Sequence, residues 1–95
     1  MAVKSFKSKA LERFFLEGKS KGLPQSQVSR IADRLTALHA ATKPEDMNLP
    51  GYKFHALKGD MAGRFAVSVS GNWRITFAWE EDSAAAVDVD HEDYH

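Results

Sequence analysis

Residues 65–79 read FAVSVSGNWRITFAW. Phe65, Val67 and Val69 alternate with Ala66, Ser68 and Ser70. Gly71-Asn72 forms a tight-turn pair, and Trp73, Ile75, Phe77 and Trp79 then alternate with Arg74, Thr76 and Ala78. A period of two on both sides of a two-residue turn predicts a β-hairpin with one apolar and one polar face. Downstream, a turn at residues 81–83 leads to Val87 and Val89 alternating with Asp88 and Asp90, which adds a strand. Upstream, residues 52–58 read as a further strand, with Lys53 and His55 on one face and Tyr52 and Phe54 on the other.

The apolar face of such a sheet needs cover, and the first half of the chain supplies it. Ala10, Leu11, Phe14 and Phe15 recur at helical spacing after Ser8, a capping residue, and before Gly18, a stop. Beyond a polar link and Pro24, the residues Val28, Ile31, Ala32, Leu35 and Leu38 keep one face for three turns. Breakers at 42–44 and 48–51 separate the helical half from the strands. The fold expected is α+β: an N-terminal helical hairpin packed on a four- to five-stranded, largely antiparallel sheet, with residues 3–6 as a candidate edge strand. Residues 1–95 read as a single domain.

Composition narrows the function. Cysteine is absent, which excludes a disulfide scaffold and a thiolate zinc site. No apolar run approaches the roughly 20 residues that span a bilayer, so the expectation is a cytoplasmic protein with no membrane partner. Thirteen basic and thirteen acidic residues cancel, but they are segregated. All thirteen basic residues lie in 4–74 with six acidic ones, leaving +7, whereas 75–95 carries seven acidic residues and no Lys or Arg. Such asymmetry fits a nucleic-acid-facing body with an acidic tail, and equally two segments that fold side by side.

With the apolar faces buried, the opposite face displays Lys53, His55, Arg74 and Thr76, and the chain end adds Asp93, Tyr94 and His95. That set suits RNA cleavage by the ribose 2′-hydroxyl without a metal or other cofactor. Histidine serves as base or acid near neutral pH, while Arg and Lys balance charge on the phosphoryl oxygens. Lys53, Lys58 and Arg64 also fit a solvated rim, and the last three residues a frayed end, so residue types and spacing leave an anion- or RNA-binding surface. His91 and His95 amid Asp88, Asp90, Glu92 and Asp93 do not form a metal motif, because the segment is strand-like rather than helical.

Four ordered blocks add a resemblance: 42–51 (TKPEDMNLPG), 54–59 (FHALKG), 67–77 (VSVSGNWRITF) and 87–95 (VDVDHEDYH), with SFK at 5–7 before the first helix. Together they resemble the HigB-type plasmid maintenance killer proteins of the RelE/ParE toxin superfamily. The resemblance implies a RelE-like fold and the toxin of a type II toxin–antitoxin pair. It implies a ribosome-dependent mRNA endonuclease, an mRNA interferase that cuts mRNA in the 30S A site and inhibits translation. A helix-turn-helix, HigA-like antitoxin is the implied partner. The family's catalytic positions fall on His55, Lys58, Arg74, Asp93, Tyr94 and His95; Lys53, Arg64, Thr76 and His91 are expected to contact RNA or the ribosome. Ala56, where the family often has proline, and His91, often aromatic there, depart from its pattern. The alternatives are a ParE-like gyrase-inhibiting toxin without nuclease activity and a non-catalytic RNA-binding module.

Overall fold

Two helices, α1 (Lys9–Glu17) and α2 (Val28–Ala40), cover one face of an antiparallel sheet in the computed structural model, which describes residues 2–94. The strands β1 (His55–Ala56), β2 (Arg64–Ser70), β3 (Trp73–Glu80) and β4 (Ala85–Asp93) lie in sequential order. The α+β architecture is the one the hydrophobic periods require.

The Leu11 N–H donates to the Ser8 hydroxyl (3.2 Å) and starts α1, while Gly18 ends it in the left-handed region at φ 74°. Leu11, Ile31, Leu35 and Leu38 press their stripe onto Val67, Ile75, Phe77 and Val89 in one core. Phe77 and Ile75 are fully buried there, each contributing roughly 1.5–3 kcal/mol. The helices form a hairpin only loosely. Their connection folds back until Gly22 lies against Ala10, and the Phe15 ring meets His39 near the far end of α2 (5.1 Å).

The N-terminal segment lies along the outer edge of β4, bridging in parallel at Val3–Ala86 and Phe6–Val89. The Lys4 N–H donates to the Ala86 carbonyl (2.8 Å), the Val89 N–H to that of Ser5 (3.1 Å), and the Ala86 N–H to that of Ala2. The edge strand expected at 3–6 is therefore a set of bridges that occupies β4's second side.

Two strand readings change. Of residues 52–58, His55–Ala56 alone form a strand, pairing with Ala66 and Phe65, while Tyr52 and Leu57 on either side each make one backbone bond to β2. Lys53 is left-handed at φ 50°, yet the alternation holds: Tyr52 and Phe54 pack against the core while Lys53 and His55 are exposed. In β4, Val87 pairs with Ala78 but Asp90 with Thr76, so a bulge at Asp88 (φ 51°) inserts one residue opposite Phe77. The bulge separates Val87 from Val89: only Val89 enters the core.

Ser70 and Trp73 pair across the β2–β3 turn, where Gly71 sits at φ 57°. A Cβ there meets nothing within 4 Å, so its cost is conformational alone. Gly71→Val is expected to lower the unfolding free energy by about 1–2 kcal/mol, read as a shift in the urea midpoint at unchanged slope.

Candidate active site

On the sheet face away from the helices, Arg74 stands at the centre. Its register partners are Ser68 on β2 and Glu92 on β4, and side chains of paired residues share a face. The Arg74 Nη2 donates to Glu92 Oε1 at 3.2 Å and approaches Met61 Sδ at 3.8 Å, and the guanidinium lies 4.2 Å from the centre of the Tyr94 ring. An arginine stacked on an aromatic plane and tied to a carboxylate has little freedom left in its four torsions.

Tyr94 is held in turn. β4 runs through Asp93, and the Tyr94 N–H donates to the Asn72 carbonyl in the β2–β3 turn (3.1 Å). Asp93 thus closes β4 and Tyr94 is tied to the turn, so neither is a frayed end. Asp93 pairs with Trp73 and has the parity of His91, not that of Glu92 and Tyr94. His95 lies outside the described residues.

Thr76 departs from the expected open position. It is fully buried: its hydroxyl accepts from Arg64 Nη2 (2.9 Å) and donates to Glu92 Oε2 (2.8 Å), so two longer side chains close over it. Direct contact between Thr76 and RNA is therefore ruled out in this arrangement. Arg64, expected on the RNA-contacting rim, directs the same nitrogen inward, to Thr76 and to the Asp88 carbonyl at the bulge (2.8 Å).

His55 lies in the same cross-sheet row as Thr76, through Ala66. That places it two strands from β3, roughly 10 Å of backbone separation. It is exposed, and its Nδ1 lies 2.9 Å from the Lys53 carbonyl. A carbonyl only accepts, so Nδ1 carries the hydrogen, and Nε2 is the proton-accepting nitrogen of the neutral ring. The carbonyl that fixes this tautomer belongs to the left-handed Lys53. Lys58 is exposed at the start of the 3₁₀ turn Gly59–Met61, the loop whose Met61 touches Arg74.

His91 is on the other face. It stacks on Trp73 (4.4 Å between centroids) and its Nε2 lies 3.0 Å from the Gln27 side-chain oxygen, beneath the helices. Burial lowers its pKa from 6.5, with Asp90 opposing the shift. It is therefore not brought to the Arg74 face, although RNA contact was expected of it.

Glu92 was absent from the sequence-derived set, yet it joins Arg74 to Thr76. Its signal was present: counting by twos from the core residue Val89 places residues 90, 92 and 94 on the opposite face.

A helix-backed antiparallel sheet is the architecture expected of a RelE-like fold. Residues 4–95 match the family described as the RelE-like toxin of type II toxin–antitoxin system HigB, and the chain belongs to that family. It is 43% identical over 93 residues to Endoribonuclease HigB of Proteus vulgaris, covering 98% of this chain and 99% of that protein. It is also 31% identical over 91 residues to Toxin HigB-1 of Vibrio cholerae serotype O1, covering 94% of this chain and 96% of that one. Membership in a toxin–antitoxin family implies an antitoxin partner. Among the described residues, no helix is long and apolar enough to cross a membrane.

The His91 environment sets a pH dependence. The unfolded imidazole titrates near 6.5 and the folded one lower, so the unfolded chain takes up the proton first as pH falls. The contribution is fully present above 6.5 and is lost as pH falls through the lowered folded value. Thermal unfolding at pH 7.5 and pH 5 should show a fall in midpoint, and His91→Phe, which keeps a ring on Trp73, should flatten it.

Proposed function

We propose that the protein is a toxin with endoribonuclease activity that acts on mRNA in the ribosomal A site in the cytoplasm, and that a helix-turn-helix antitoxin neutralises it. The observation that carries this reading is the fixed Arg74 guanidinium, stacked on Tyr94 and tied to Glu92. A phosphodiester under attack gathers negative charge on its non-bridging oxygens, and a preorganised cation stabilises that charge without reorganising.

In this mechanism the ribose 2′-oxygen attacks phosphorus and the bond to O5′ breaks. The products are a 2′,3′-cyclic phosphate and a 5′-hydroxyl. A base accepts the 2′ proton and an acid supplies one to O5′. His55 and His95 share these transfers, with Nε2 of His55 the atom suited to either direction. Lys58 assists Arg74 from the neighbouring loop, Tyr94 orients the RNA, and the exposed Lys53 contacts its backbone. The name of the Proteus vulgaris relative supports nuclease activity for this family member, and the residues of the Arg74 face support a phosphoryl target.

Arg74→Ala should lower cleavage by about 100-fold or more, the cost of losing one preorganised donor, as read by primer extension on translating ribosomes. Undiminished cleavage by this variant would overturn the reading. A 2′-deoxy substitution at the cleaved nucleotide should abolish the reaction, and continued cleavage would exclude attack by the 2′-hydroxyl.

A further inference from the structure

The hydrogen bonds behind Arg74 have fixed directions. Thr76 has a single hydroxyl proton. Because its oxygen accepts from Arg64 Nη2, a donor only, that proton goes to Glu92 Oε2. The other oxygen of Glu92 then accepts from Arg74 Nη2. The same Arg64 nitrogen also donates to the Asp88 carbonyl of the bulge, which anchors it. The line from Arg64 through Thr76 and Glu92 to Arg74 permits no reversal at any link.

Stability does not account for this arrangement. The Arg74 and Glu92 side chains are only 11% and 21% exposed, and withdrawing an ion pair from water offsets much of its attraction. The Nε atoms of both Arg64 and Arg74 are buried without a hydrogen-bond partner among the described residues, which costs further. Direction is what the line supplies. Met61 sulfur is a weak acceptor and Tyr94 is 47% exposed, so Glu92 is the charged and rigidly held support of the guanidinium.

We propose that Glu92 is a positioning residue for the reaction: it sets the direction of Arg74 toward the phosphoryl group and weakens substrate binding by placing a negative charge beside it. The inference rests on the nuclease reading above. Two opposed effects follow. Orientation raises the rate of the chemical step, while like-charge repulsion raises the dissociation constant for RNA.

Glu92→Gln separates them. The amide keeps the volume and an oxygen for the Thr76 hydroxyl, and it removes the charge that holds Arg74. With saturating toxin on programmed ribosomes, the single-turnover cleavage rate should fall about 100-fold, the scale of a misplaced catalytic group. The dissociation constant for the ribosome–mRNA complex should fall below that of the wild type. Thr76→Val, which loosens Glu92 without touching Arg74, should lower the rate in the same direction, and the double variant should be no slower than Glu92→Gln. A merely structural role would weaken binding and lower the rate only in proportion to the folded fraction, and that pattern overturns the proposal. So does a wild-type rate at saturation. If Glu92→Gln does not fold, Thr76→Val, which keeps the Glu92 charge, tests the orientation alone, and a wild-type rate at saturation overturns the proposal. Normal cleavage by Arg74→Ala would instead remove the nuclease reading; an inactive Arg74→Ala beside a fully active Glu92→Gln removes this inference alone.

Discussion

β3 lies between β2 and β4, and its backbone bonds to both leave only two directions for its side chains. Ile75 and Phe77 take the side under the helices, so Arg74 and Thr76 must take the other. A slip of one residue would expose the largest core side chains and bury the arginine. The burial that holds the sheet to the helices is thus the same constraint that aims Arg74. Two local features hold the register, the left-handed Gly71 between β2 and β3 and the extra residue at Asp88 in β4. Beyond the bulge, Asp90, Glu92 and Tyr94 meet the polar face of β3 while His91 turns inward.

The segregated charges of the sequence resolve in the same geometry. The acidic final segment does not trail into solvent; it is the neighbour of the last basic residue, with Glu92 against Arg74. Lys4, near the start, reaches Glu80 at 2.6 Å. Of the two readings open from charge alone, adjacent packing accounts for these contacts. The exposed Lys53 and Lys58 remain on the side of β1.

Much of this was legible because periodicity reports burial directly. The 65–79 alternation predicted the hairpin and the side taken by Arg74, and the caps at Ser8 and Gly18 bounded α1. What escaped depended on neighbours. Thr76 resembled an exposed residue because alternation reports a side, not what long side chains on adjacent strands lay over it. Lys53 and Asp88 occupy left-handed positions with no glycine to mark them. Alternation from Val89 reports the face of Glu92, but that it meets Arg74 rather than another residue follows only when the β3–β4 register is known. His91, between Asp90 and Glu92, has its place set by a partner far away in the chain, Gln27.

The bridges from the N-terminal segment to β4 carry a consequence for the order of assembly. Residues 3–6 are synthesised well before their partners, 86–89, so the two meet only after the whole segment between them has been made. Closing so long a loop is entropically costly until the contacts at its ends form. Glu92 and Tyr94, which hold Arg74, lie on the same late strand and directly after it. An unfinished chain therefore contains Arg74 without its support. Arg74 has both of its supports only where β4 lies between β3 and the N-terminal segment.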